Sequence, residues 1–180
     1  MTTGVRYHFF PQTEPPPSFL RTVVDVFQKH EGAISTRMLD KGLTSNGVLA
    51  VLKDDLLQLG FQVELGKSEA DKISRPVFFG EDGVPTLKYE IDAYHSVWRC
   101  GLEVEAGRAW MGNAVYRDLI QAMVMVQVDF LILAVPNGYK YFSSNKEMVS
   151  PDYQRTVNLA KTLFGHNRVR LPYGLGVIGY

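Results

Sequence analysis

The sequence predicts a mixed α/β fold: a central sheet flanked by helices. Three observations carry that expectation. Phe130 to Val135 is an unbroken apolar run closed by Pro136, which suits a strand buried on both faces and usually parallel to its neighbours. A helical period from Gly112-Asn113 to Gln127, and an alternating segment from Gly101 to Ala106, precede that run. The three form a β-α-β unit that should cross over right-handed. Further helical patterns toward both ends of the chain supply layers for the two faces of the sheet.

Taken in order, a short N-terminal arm ends at Pro15-Pro16-Pro17. Ser18 is placed to cap a first helix, which carries Phe19, Val23, Val26 and Phe27 and stops near Gly32. A second helix begins near Ser45, aligns Val48, Leu49, Leu52, Leu56 and Leu59 on one stripe, and ends at Gly60. Phe61 to Leu65 alternates like a strand, and residues 66–74 read as a polar loop. Arg75 to Phe79 is a short strand, and Glu81-Asp82-Gly83 is a turn. Leu87 to Tyr94 alternates cleanly, followed by the β-α-β unit. A last helix runs from about Asp152 to Phe164, and two short strands near Arg168–Leu171 and Leu175–Ile178 close the chain. Gly174, Gly176 and Gly179 open no helix and give no nucleotide loop.

The 180 residues are 46% apolar and 21% charged, an ordinary globular composition. They are expected to form one domain, 1–180, with its core at about 45–136. An N-terminal arm and helix (1–44) and a basic C-terminal helix with strands (137–180) flank that core. Nineteen basic and nineteen acidic residues cancel, so a surface for nucleic acid would need segregated charge. Segregation is present: from Pro136 onward Lys140, Lys146, Arg155, Lys161, Arg168 and Arg170 outnumber Glu147 and Asp152, with Tyr139, Tyr141, Tyr153 and Tyr173 among them. One cysteine, Cys100, excludes an intrachain disulfide and gives no cysteine zinc cluster. No signal peptide or apolar run of membrane-spanning length is visible, so a cytoplasmic protein with no membrane partner is expected.

The feature richest in chemistry is Glu90-Ile91-Asp92 followed by Glu103-Val104-Glu105. On a strand, an i, i+2 spacing puts both carboxylates of a pair on one face. A hairpin turning at Ser96–Arg99 would set His95 opposite Cys100, Asp92 opposite Glu103 and Glu90 opposite Glu105. Facing residues have Cβ atoms roughly 4.5–5.5 Å apart, where like charges repel by roughly 3 kcal/mol at an effective dielectric of about 20. Water can screen such a patch, some of the acids can hold protons, or a cation can sit among them. A solvated acidic strand face is the plain alternative. All-oxygen donors select a hard ion such as Mg²⁺, Mn²⁺ or Ca²⁺.

Asp92, the Glu103-Val104-Glu105 triplet, and the helix and apolar strand that follow resemble the PD-(D/E)xK nuclease superfamily. They are similar to its BamHI/BglII-like restriction-endonuclease branch, in which Glu replaces the usual Lys. The resemblance covers about residues 45–136. It implies a restriction-endonuclease-like core, with Asp92, Glu103 and the Val104 backbone carbonyl as ligands of Mg²⁺ or Mn²⁺. It also implies that Glu105, at the lysine position, orients or deprotonates the attacking water. Ile91 stands where the motif has Pro. Glu90 lies outside the motif and is either an outer group or solvated.

Other residues carry weaker signals, each beside a plainer reading. His95 suits acid–base work or a structural place next to the turn. Lys140 could lend charge from a neighbouring strand end or be solvated. Arg99 and Arg108 flank the acidic strand and could reach phosphates or pair with nearby acids. Arg117, with Asn113 and Tyr116, lies near a helix N-terminus that could meet a phosphate or line a polar outer face. Arg117 and Asp118, adjacent in sequence, do not face each other on a helix. Trp98 could stack on bases or pack against a loop.

The resemblance therefore implies a metal-dependent endodeoxyribonuclease acting on double-stranded DNA, a homodimer if its sites are two-fold, with type II restriction as one role. The alternatives are a catalytically silent DNA-binding or protein-interaction module on the same fold, and a hydrolase of a small substrate in an enclosed pocket.

Overall fold

The computed structural model describes residues 4–180 apart from 37, 40, 41, 67, 108, 111 and 145. The described chain contains strands β1 (Arg6–Phe10), β2 (Gln62–Val63), β3 (Ile73–Phe79), β4 (Pro85–Ile91), β5 (Ala93–His95), β6 (Cys100–Val104), β7 (Phe130–Val135), β8 (Tyr139–Ser143), β9 (Lys146–Ser150) and β10 (Gly174–Gly179). Its helices are α1 (Ser18–Lys29), α2 (Glu31–Ile34), α3 (Ser45–Gln58), α4 (Ala114–Val124) and α5 (Asp152–Gly165).

Six strands form the central sheet in the order β1-β10-β7-β6-β5-β2. The β10–β7 and β7–β6 pairs are parallel, and the other three pairs are antiparallel. The mixed sheet with helices on both faces is as the sequence predicts. The apolar run behaves as its composition requires. Ile132 and Ala134 on β7 face one core, together with α1 and α3, while Leu131, Leu133 and Val135 face the other, together with α4 and α5. Among the closing glycines, Gly179 leaves room for Asn137 and Tyr153: a Cβ there would fall 2.6 Å from each.

Several sequence expectations are corrected. Ser18 does not cap α1; it is the first helical residue, and Pro17 occupies the cap position with no side-chain hydrogen bond. α3 is capped by Thr44, whose side chain accepts from the Gly47 N–H. Ser45 instead accepts from the Ala106 N–H at 3.1 Å, tying the start of α3 to the end of β6. Helix α4 stops at Val124, before Gln127, because the chain then turns out to feed β7 and the Val126 N–H donates to the Pro76 carbonyl. The arm holds β1, an edge strand paired with β10. Residues 168–171 form no strand, and β8 and β9 form a hairpin where none is expected.

The correction that shapes the site is a break at Asp92. Leu87 to Tyr94 is not one strand. β4 leaves the sheet and pairs with β3 as a separate ribbon, whereas β5 pairs with β6. The hairpin register is as expected where the ladder exists, with His95 opposite Cys100 and Ala93 opposite Leu102. Glu90 lies opposite Ser74 in the ribbon, not opposite Glu105. At the break Ile91 folds over Gly101, where a Cβ would stand only 2.3 Å from the Ile91 methyl. Ile91 therefore joins the α4–α5 core, not the α1–α3 core of Ala93, Leu102 and Val104.

Candidate active site

The site lies where β6 ends, between the start of α3, the base of the β3–β4 ribbon and helix α4. Asp92 occupies the bend between β4 and β5. Its carboxylate replaces a ladder bond: Oδ2 accepts the Val104 N–H at 2.8 Å, and its backbone carbonyl accepts the Glu64 N–H at 2.8 Å. These two bonds fix Asp92 beside the strand that carries Glu103 and Glu105. Glu103 is buried beneath α4 on the wall it shares with Asp92. Glu105 follows the last rung of β6, with its N–H bonded to the Ala134 carbonyl and its own carbonyl accepting from the Tyr180 hydroxyl.

A fourth carboxylate joins them that the sequence reading passed over. Asp118 on α4 is 2% exposed. Its Oδ1 receives Arg117 Nε at 3.0 Å and an Arg117 terminal nitrogen at 2.9 Å. Its Oδ2 is buried without a donor. The expectation that Arg117 and Asp118 do not meet is corrected, because the long arginine folds back across the helix surface. The same arginine reaches Glu105 Oε1 at 3.4 Å. A readable signal existed, since Asp118 falls on the stripe with Val115, Leu119 and Ala122, at the i, i+3, i+4, i+7 positions that face a core. Glu64, also passed over, has a buried side chain paired with Lys72 at 2.9 Å.

Two clefts meet at these acids. One of about 480 Å³ is lined by Glu64, Lys72, Asp92, Glu103, Arg117 and Asp118 among others. A second of about 430 Å³ is lined by Ser45, Asp92, Glu103, Val104, Glu105 and Arg117 among others. Burial raises the carboxyl pKa values of Asp92, Glu103, Glu105 and Asp118, and repulsion from neighbouring acids adds to it for the first three. Burial lifts Asp92 to about 6; the Val104 N–H opposes the rise, and the charges of Glu64 and Asp118 assist it. Burial, with the Asp118 charge behind it, lifts Glu105 to about 8. Glu103 is held well above the carboxylate range by burial and by Asp92, Asp118 and Glu105. Burial also raises Asp118. With its pKa at about 8, Glu105 is largely protonated at neutral pH.

The donors fit a hard cation in chemistry. They are all oxygen and buried or half-buried, and beside them Asp118 Oδ2 is buried without a hydrogen-bond donor. Among the described residues no three His, Cys, Asp or Glu side chains gather closely enough to hold an ion by themselves. An ion here would rest on two carboxylates completed by waters, an arrangement typical of Mg²⁺.

The remaining candidates separate. Glu90 is exposed and pairs with Lys72 at 3.2 Å. His95 lies on the opposite face of the sheet, away from the acids. It is stacked 3.7 Å from Trp98 and hydrogen-bonded to the Leu59 carbonyl, so it is structural. Trp98 packs against His95 and Phe19. Arg99 pairs with Asp129 at the far end of β6 from Glu105. Lys140 is exposed on β8 and borders a third cleft of about 620 Å³ that Glu105 also lines. Arg108 lies outside the described residues.

This architecture is the restriction-endonuclease-like fold. The chain is similar over 97% of its length to the crystal structure of restriction endonuclease BglII complexed with a DNA 16-mer. It covers 75% of that chain, with a TM-score of 0.54 and 14% identity. No protein-family model matches the sequence, and no curated protein does. Among the described residues no helix is long and apolar enough to cross a membrane.

Proposed function

We propose that this protein is a Mg²⁺- or Mn²⁺-dependent endonuclease that hydrolyses phosphodiester bonds of double-stranded DNA, with type II restriction as its role and a homodimer as its working form. One observation carries the reading. In a restriction-endonuclease-like fold, the bend at Asp92 and the end of β6 bring Asp92, Glu103 and Glu105 to one cleft wall beside a parallel strand pair. The fold likeness to a nuclease described in complex with DNA supports the choice of polymer.

Asp92, Glu103 and the Val104 carbonyl would hold the cation. When bound, it supplies positive charge to a phosphoryl oxygen and acidifies water. Glu105 would take the proton from the attacking water. A carboxylate with a pKa of about 8 is a stronger base, once ionised, than an ordinary glutamate, and is close to the working pH. Arg117 and Lys140 border clefts that Glu105 lines and would meet backbone phosphates.

The test is supercoiled plasmid incubated with Mg²⁺ or Mn²⁺, with and without EDTA, beside Asp92→Ala and Glu103→Ala. Nicking or linearisation that needs the metal and both acids is expected. Intact plasmid under every metal condition would sink the proposal. Cutting that survives both substitutions would move the site elsewhere. The alternative, a silent DNA-binding module, is favoured by one feature, the glutamate at the usual lysine position. It predicts binding without cutting.

A further inference from the structure

We propose that Arg117, fixed by Asp118, supplies the positive charge that the strand lacks at Glu105. On this view the Arg117 guanidinium meets the phosphate under attack and Asp118 is its positioning residue. The inference rests on the nuclease reading and adds two residues to its machinery.

Among the described residues, the other cations near the acids are engaged elsewhere or stand apart from Glu105; Lys88, exposed on β4, borders the cleft that Glu105 does not line. Lys72 is tied to Glu64 at 2.9 Å and to Glu90 at 3.2 Å, both outside the Asp92–Glu103–Glu105 group. Arg99 is paired with Asp129 at the far end of β6. Lys140 is exposed on β8, across a separate cleft. Arg117 contacts Glu105 itself, at 3.4 Å, and borders both clefts that Asp92 and Glu103 share.

The pairing is also lopsided. Arg117 has a side chain 58% exposed, while that of Asp118 is 1% exposed. A buried anchor thus holds an outward-facing cation. Neighbours at i, i+1 do not face each other on a helix, so the arginine must fold back to reach Asp118. Holding a long side chain in one geometry costs rotamer entropy, which the two contacts to Asp118 Oδ1 offset. Asp118 engages one side of the fork through Nε and one terminal nitrogen. A guanidinium has five N–H donors, so the other terminal nitrogen remains for an anion, and phosphate is the anion its planar fork suits.

The proposal is tested with Arg117→Ala, Arg117→Lys, Asp118→Asn and the Arg117→Ala/Asp118→Asn double variant, read in two ways. Single-turnover cleavage should fall roughly 100-fold in Arg117→Ala, as for loss of a donor aimed at transition-state charge, and recover in part in Arg117→Lys. Asp118→Asn should slow cleavage less. The double variant should lie within a few-fold of Arg117→Ala alone, because Asp118 acts chiefly through the arginine and only secondarily through its charge beside Glu105. Multiplying effects, or an Arg117→Ala variant that cuts at the wild-type rate, would overturn the inference. Mn²⁺ titration without DNA gives the second reading. Removing a positive charge beside the acids should tighten Mn²⁺ by about tenfold, and unchanged affinity counts against the proposal whatever happens with DNA. If wild-type protein cuts no DNA while Arg117→Ala binds Mn²⁺ more tightly, the nuclease reading fails and takes the phosphate role of Arg117 with it, although Arg117 still acts on the acids. If the wild type cuts and Arg117→Ala cuts equally well, only this inference fails.

Discussion

Asp92→Asn should stabilise the metal-free protein at alkaline pH, and the size of the effect follows from the burial of one carboxylate. The Asp92 carboxyl moves from its ordinary 3.8 to about 6 on folding. Below pH 4 it is protonated in both the folded and unfolded chains and costs nothing by this route. As pH rises past 3.8 the unfolded chain releases its proton while the folded chain keeps it. Unfolding is favoured progressively until about pH 6, and the full cost applies above that. At about 1.4 kcal/mol for each tenfold difference, the penalty is roughly 3 kcal/mol. Asparagine keeps the shape of the side chain and an oxygen to accept the Val104 N–H, but carries no charge.

The substitution should therefore raise stability by roughly 3 kcal/mol at pH 8 in EDTA and change it little at pH 4. In a chain of this size that corresponds to about 6–12 °C in melting temperature. Adding Mn²⁺ should stabilise the wild type, which then has a cation to match its carboxylates, and should do much less for the variant. Thermal or urea unfolding at pH 4, 6 and 8, with and without Mn²⁺, measures both effects. Equal stability of the two proteins at pH 8 in EDTA would refute the reasoning, since it would mean that no buried charge at Asp92 opposes folding.

Two further predictions concern the rest of the site and its supports. Mn²⁺ binding at pH 7 should release at least one proton, because burial holds the ligand Glu103 above the ordinary carboxylate range and Glu105, with a pKa of about 8, is largely protonated there. The release should shrink by pH 9, and calorimetry in buffers of different ionisation heat reads it as a slope; no buffer dependence at pH 7 would contradict the raised pKa. His95→Ala should cost about 2–3 kcal/mol, from lost stacking on Trp98 and the unpaired Leu59 carbonyl. Its cleavage rate per folded molecule should stay unchanged under urea-calibrated conditions, and a large rate loss would return His95 to the site.

The parts of the fold that could be read in the sequence are those where one pattern answers to one environment. β7 alternates between two cores, so it had to be apolar throughout, and the run announced it. The His95–Cys100 register followed from a short turn between two alternating segments. The break at Asp92 was hidden because alternation continues across it from Leu87 to Tyr94 while the pairing partner changes from β3 to β6. Hydrophobic period reports which side chains are buried, not which strand lies alongside. The side-chain bond from Asp92 to the Val104 N–H lets the ladder stop without orphaning a donor, and nothing in composition marks it. β8 and β9 were hidden for another reason: most of their residues are exposed, so no face imposes a pattern.

The site divides in the same way. Asp92, Glu103 and Glu105 were legible from spacing, whereas Glu90 was misplaced by the same spacing once β4 left the sheet. Asp118 has a different lesson, because it breaks a pattern. A carboxylate on the buried stripe of α4 costs stability unless a partner or a cation balances it, and three other carboxyls surround it at raised pKa. Arg117 balances one of its oxygens and leaves the other unpartnered. Neutral side chains of the same shape would relieve the repulsion on this wall, as the Asp92→Asn prediction states for one position. A wall expected to gain stability when its charges are removed is not accounted for by folding alone. On the proposed nuclease reading, a cation bound among these carboxylates would turn the same repulsion into binding energy.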